Sequence, residues 1–239
     1  MPFTLDQVVP WGRSYDEYVA MFALSERDLG GRILGCGDGP AAFNSVLTKR
    51  GGRVISADPA YQFSADEIRE RIAATYPVVM EETRRNRHEF VWRNFASIAE
   101  LGRVRMAAME EFLADYPAGR RGGRYLAAGL PILPFGDREF ALALCSHFLF
   151  LYSEHLSEEF HLRSIAELCR VAREARIFPL LELGAVKSRH LDPVLARLAA
   201  EGFEARIETV PYEFQRGGDR MLRVCRKAEP GRAKPCEGL

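Results

Sequence analysis

The chain has 239 residues, 47% apolar and 28% charged, enough to bury the core of one large domain or of one domain with an insertion. Its 33 Lys and Arg balance 33 Asp and Glu, so no overall field draws it to nucleic acid or anionic lipid. No apolar run reaches the ~18–20 residues of a membrane span, and no basic segment with an apolar core marks a signal peptide. Five scattered cysteines without a C-x-x-C pair argue against a disulfide framework and a zinc site. These exclusions lead to the expectation of a cytoplasmic protein with no metal, no nucleic-acid partner and no membrane association.

Residues 1–12, with Pro2, Pro10, Trp11 and Gly12, read as an irregular lead-in. Ser14 and Glu17 stand in capping-box spacing and open a helix striped with Tyr15, Tyr18, Val19 and Phe22. A polar turn at 25–28 then leads into Arg32-Ile33-Leu34-Gly35-Cys36-Gly37-Asp38-Gly39-Pro40. This stretch reads as a short strand that stops in a glycine turn, with Pro40 as the first residue of a helix. Glycines let backbone approach a ligand closely and take φ > 0, and free amides at a helix start face an anionic or polar group. Residues 41–50 continue the helix and Gly51-Gly52 end it. Residues 53–59 form a second strand with Asp58 at its carboxyl end. Strand, glycine turn, helix, strand and terminal acid make a βαβ unit. Asp58 stands about 19 residues beyond Gly39, where such units place a carboxylate on ribose hydroxyls.

Residues 62–122 change character and predict about three helices. The first runs from Ser64 with Ile68, Ile72 and Tyr76 as its stripe and is broken by Pro77. A second spans 78–95 with Val79, Met80, Thr83, Phe90 and Trp92, and a third spans about 97–115 with Leu101, Met109 and Phe112. A βαβ repeat needs one helix here, so the excess reads as an inserted cap. Alternation then resumes with strands at 124–128, 140–146 and 175–181 and helices at 156–173 and 190–201. Strands at 205–214 and 220–227 close the domain as a hairpin. The organisation is a helical lead-in over 1–30, a Rossmann-like domain over 31–227 with its insertion, and a flexible tail over 228–239. The pattern is α/β throughout, with an inserted helical cap and an antiparallel C-terminal hairpin.

His147 follows a buried strand, at the end of the sheet where open α/β folds place ligands. It reads as a general base working near neutral pH or as a hydrogen-bonded pocket histidine. His155 and His161 read as solvent-facing. The cluster Arg84, Arg85, Arg87 and His88 reads as a solvated helix face, because Glu81, Glu82 and Glu89 flank it.

Over residues 31–62 and 124–227 the sequence resembles the class I S-adenosylmethionine-dependent methyltransferases. Gly35-Cys36-Gly37-Asp38-Gly39 is similar to the family's G-x-G-x-G loop, and Asp58 matches its ribose-binding acid. Leu133-Pro134-Phe135-Gly136-Asp137 with the strand from Phe140 is similar to the run into its fourth strand. The resemblance implies S-adenosylmethionine as cofactor, held by Gly35, Cys36, Gly37, Asp38, Gly39, Asp58, Pro59, Gly129, Leu130 and Ser146. Arg13 and Tyr15 would close over its methionine end, and His147 is the catalytic candidate. It further implies an α/β fold with a doubly wound, mostly parallel seven-stranded sheet, an antiparallel C-terminal hairpin strand and an inserted helical cap, and in-line methyl transfer to a small-molecule acceptor. Two acids usual in the family are replaced by Ile33 and Gly129, with Asp38 as the substitute for the first. A non-catalytic sensor or partner module that binds the same nucleotide-like ligand is the alternative.

Overall fold

The computed structural model describes residues 9–227, and the expectation of a flexible tail lies outside them. The strands are β1 (Arg32–Cys36), β2 (Arg53–Ala57), β3 (Tyr125–Leu126), β4 (Phe140–Ser146), β5 (Ala172–Phe178), the short pair β6 (Leu181–Glu182) and β7 (Val186–Lys187), β8 (Phe203–Thr209) and β9 (Arg220–Arg226). The helices are α1 (Tyr15–Met21), α2 (Glu26–Gly30), α3 (Phe43–Lys49), α4 (Ala65–Arg85), α5 (Ile98–Arg121), α6 (Glu158–Val171) and α7 (Leu191–Ala200). Seven strands form one sheet in the order β3-β2-β1-β4-β5-β9-β8. The first five pair in parallel, and β9 runs antiparallel to both β5 and β8. This is the doubly wound sheet with a reversed terminal hairpin expected above.

Side-chain alternation along the strands splits the core into two layers. Leu34, Cys36, Ala143, Cys145 and Ile177 face α6 and α7. Ile33, Val54, Leu142 and Leu144 face the other way, onto Tyr18, Met21 and Phe22 near α1 and Phe43 and Leu47 of α3. Burying a residue such as Ile33 or Phe43 contributes roughly 1.5–3 kcal/mol. From β1 the chain winds outward through β2 and β3, then returns to β4 on the opposite side. The crevice between β1 and β4 is therefore the switch point, where ligands bind in open α/β sheets.

The insertion differs from expectation. It holds two long helices, and α4 runs straight through Pro77. Pro77 and Ala73, whose carbonyl loses its helical partner, are both exposed, and on an exposed face water can take the place of the lost N–H, so the helix need not break. Residues 86–95, read as part of a second helix, belong to a connecting segment with one 3-10 turn. Pro40 does not open a helix. α3 starts at Phe43 behind Ala42, whose N–H donates to the Arg13 carbonyl at 3.0 Å. β5 begins directly after α6, three residues earlier than expected, and β8 ends at Thr209. His161 is fully buried, where solvent exposure was expected, because both ring nitrogens meet carbonyl oxygens, of Ser157 at 2.8 Å and Leu149 at 3.0 Å. Cys36, Cys145 and Cys169 are buried free thiols.

Candidate functional site

The glycine loop is shaped by its own acid. Asp38 folds back over Gly35, so that a Cβ on Gly35 would stand 1.8 Å from Oδ2. Tyr18 Oη donates to Asp38 Oδ1 at 2.9 Å, and Ser56 Oγ donates to Oδ2 at 2.6 Å. The carboxyl is buried, and burial pushes it up to about 6, although the two hydroxyls pull it down. Gly37 (φ +68°) and Gly39 (φ +52°) take the left-handed conformation that side chains disfavour.

Asp58 locks the other side of the loop. Its Oδ2 accepts from the Gly39 N–H at 2.8 Å and its Oδ1 from the Ala60 N–H at 2.8 Å. Tyr61 Oη donates to the Gly39 carbonyl at 2.8 Å, and the Gly37 N–H donates to the Ala57 carbonyl at 3.0 Å. The Gly37 and Gly39 amides are thus committed, and the acidic groups beside them are two carboxylates.

A cavity of about 390 Å³ lies on this loop. Of the residues expected at the site, Arg13, Gly37, Asp38, Gly39, Asp58, Pro59, Gly129, Leu130, Ser146 and His147 line it. Gly35, Cys36 and Tyr15 do not. Gly35 lies beneath the Asp38 carboxylate and Cys36 points into the core. Tyr15 stacks on Phe43 at 5.7 Å and carries the Arg50 guanidinium 4.2 Å from its ring. The two positions lacking an acid have physical reasons. Ile33 is fully buried in the core, and a Cβ on Gly129 would meet Pro59 Cγ at 2.8 Å.

His147 ends β4 in a left-handed conformation (φ +51°) that costs a residue of this kind free energy and recurs at functional sites. Its N–H donates to the Phe178 carbonyl at 2.6 Å, and its Nδ1 pairs with Ser146 Oγ at 2.9 Å. Nε2 has no protein partner among the described residues. Burial, with the charges of Arg13 and Arg105, holds the imidazole well below its ordinary range, so it is neutral and able to accept a proton at pH 7.

One buried arginine, Arg13, lines the cavity, and a second, Arg105, acts on the site through its charge. Arg13 is 9% exposed and donates Nη1 to the Trp11 carbonyl at 2.8 Å, while its Nε has no partner. Burial and the charge of Arg105 lower it to about 10. Arg105 is fully buried and pairs with Glu17, which also accepts from Tyr212 Oη at 2.7 Å. Burial alone would raise Glu17, but Arg105 holds it at about 2. Arg105 Nε and Nη2 remain unpartnered.

Sequence reasoning missed Tyr18, Tyr61, Trp11, Phe90, Phe148 and Phe214 as lining residues. Tyr18 was read only as part of a helix stripe, and nothing in its spacing signalled the hydroxyl's reach to Asp38. Among the described residues, no group of three or more His, Cys, Asp or Glu could hold a metal ion. No described helix is long and apolar enough to cross a membrane.

No protein-family model matches the chain. Among solved structures it is similar to the magnesium protoporphyrin IX methyltransferase of Synechocystis PCC 6803 with bound SAM, at 15% identity and a TM-score of 0.46, over 89% of this chain and 78% of that one. It is also similar to a SAM-dependent methyltransferase, possible histamine N-methyltransferase, of Thermotoga maritima, at 14% identity and a TM-score of 0.41, over 88% and 87%. Among curated proteins it is 35% identical over 223 residues to the uncharacterized protein MJ0045 of Methanocaldococcus jannaschii, covering 93% of this chain and 98% of that protein. With that identity across nearly the whole of both chains, the protein belongs to the family of MJ0045.

Proposed function

We propose that the protein is an S-adenosylmethionine-dependent methyltransferase acting on a small-molecule acceptor. The observation that carries this reading is the pairing of committed loop amides with two carboxylates at the switch point. A dinucleotide site offers free amides to a pyrophosphate. Here the Gly37 and Gly39 N–H groups are taken, and Asp38 and Asp58 would repel phosphate while suiting hydroxyls and an ammonium. The residues present fit the cofactor, because the cavity is lined by Arg13, a cation for a carboxylate, and by an acid matched to ribose.

In this reading Asp58 accepts from the ribose hydroxyls on the lone pairs its two amide bonds leave free. Asp38 faces the amino group in place of the acid absent at Ile33. Arg13 meets the methionine carboxylate, and Gly129, Leu130 and Pro59 border the base. Bound S-adenosylmethionine supplies a methyl group already activated by the sulfonium charge. The protein then aligns donor and acceptor, which contributes several kcal/mol without a covalent intermediate. His147 Nε2 accepts the acceptor's proton where the acceptor needs to lose one.

Isothermal titration with S-adenosylhomocysteine and with NAD tests the cofactor. Binding of the former alone is expected, and Asp58→Ala is expected to weaken it at least about tenfold. No binding together with an unchanged melting temperature would sink the proposal. Transfer of a labelled methyl group into a metabolite extract separates an enzyme from a sensor.

A further inference from the structure

Opposite the polar floor, the cavity has a second wall made by three segments that a minimal βαβ repeat does not require. The lead-in contributes Val9 and Trp11, the insertion Val79, Phe90 and Leu101, and the loop before β9 contributes Phe214. The last two segments are stitched together. The Val91 N–H donates to the Phe214 carbonyl at 2.7 Å, the Arg216 N–H to the Glu89 carbonyl at 2.8 Å, and Phe90 stacks on Phe214 at 4.7 Å. Thr83 spends its hydroxyl on the Val79 carbonyl at 2.7 Å. This wall offers aromatic and aliphatic surface.

Charge narrows the ligand further. Each nearby acid is already engaged: Asp38 by Tyr18, Ser56 and, in the reading above, the cofactor's amino group, Asp58 by two amides and the ribose hydroxyls, and Glu17 by Arg105, Tyr212 and Ser14. Among the described residues near the cavity, the buried side-chain polar atoms without a partner are guanidinium nitrogens of Arg13 and Arg105. An acceptor arriving as an ammonium would be desolvated beside cations with no acid left to pair it. An apolar body with an acidic oxygen meets the opposite situation, since the same cations favour its deprotonated form.

Resting on the methyltransferase reading above, we propose that the acceptor is a flat, apolar molecule with an acidic hydroxyl of the phenol kind. It lies against Trp11, Phe90 and Phe214, with its oxygen toward His147 in the field of Arg13 and Arg105. The oxygen forms the new bond to the methyl carbon as its proton passes to His147 Nε2 and on to water. The electron pair of the broken C–S bond stays on sulfur, leaving S-adenosylhomocysteine and a methyl ether. The cavity, about 390 Å³, falls low in the range of roughly 300–1,000 Å³ for small-molecule sites, so an acceptor beside the cofactor has to be small.

The test is titration of the full chain with 2-naphthol and with 2-naphthylmethylamine, each with and without saturating S-adenosylhomocysteine. 2-Naphthol is expected to bind at least about tenfold tighter than the amine. Leu183→Trp and Gln215→Trp fill half-buried lining positions. Each should weaken naphthol at least about tenfold while leaving S-adenosylhomocysteine affinity within about twofold. Equal or tighter binding of the amine overturns the proposal, as does binding of neither probe, or naphthol affinity unchanged in both variants. Naphthol selectivity without any S-adenosylhomocysteine binding would uphold this wall's chemistry and sink methyl transfer. The converse result would keep the cofactor and sink the acceptor.

Discussion

Asp38 occupies the space that a side chain on Gly35 would need, with Oδ2 1.8 Å from the Cβ position. The first glycine of the loop is therefore demanded by an acid three residues later, and its φ is not in the left-handed range that favours glycine. Gly35→Ala should expel the carboxylate from Tyr18 and Ser56 and cost about 2–4 kcal/mol in urea unfolding. In an Asp38→Ala background the same change should cost at least about 1 kcal/mol less. Equal costs in the two backgrounds would show that the residues do not compete for that space.

Asp38 also sets a pH dependence. Burial raises it from 3.8 to about 6, so the folded state holds its proton more readily than the unfolded chain does. Its contribution to stability is then full below about pH 4 and is lost as pH rises through about 6. Asp38→Asn removes the ionisation while keeping a hydrogen-bond acceptor. Calorimetry should find it more stable than the parent by about 1–3 kcal/mol at pH 7.5, with the gap closing near pH 4. A gap that widens toward acid would reverse the assignment.

The Glu17–Arg105 pair joins α1 to α5 beneath Tyr212 and is buried at both ends. Removing one charge leaves the other desolvated, so Glu17→Gln should cost about 3–5 kcal/mol by denaturant unfolding. Adding Arg105→Met should recover part of that loss, because no unpaired cation then remains. Additive costs in the double variant would mean that the two side chains act independently.

His147 combines a left-handed backbone with a neutral imidazole on the cavity. Asparagine tolerates that conformation, so His147→Asn should leave the melting temperature nearly unchanged. Methyl transfer to an acidic hydroxyl should fall by about 10²–10⁴-fold. Because burial and the two arginines hold the imidazole below 6.5, the parent's rate should show no loss attributable to this residue as pH drops through 6.5. A rate unaffected by the substitution would leave His147 a pocket residue without a role in proton transfer.

Features carried by neighbours in the chain were legible from sequence. The Ser14–Glu17 capping box, the glycine spacing from Gly35 to Gly39, Asp58 at the end of β2 and the terminal hairpin all depend on short-range geometry, and all are present. Pro77 misled because whether a proline breaks a helix depends on whether the orphaned carbonyl lies on a buried or an exposed face, and here Ala73 and Pro77 are both exposed. Tyr15 and His161 misled in opposite directions. A helix stripe does not say whether a ring meets the core or a cavity, nor does a charged neighbourhood keep a histidine in solvent.

The sequence alone thus determined the sheet with its reversed last strand and the glycine turn at the end of β1, since apolar periodicity and turn chemistry act over a few residues. Only tertiary structure decided what the loop presents to a ligand. Asp38 meets Tyr18 and Ser56, Asp58 takes the Gly39 amide, and Arg13 and Arg105 are left with unpartnered donors. Those relations join side chains from separate elements, and hydrogen bonding and desolvation act on them only once the chain has closed around them.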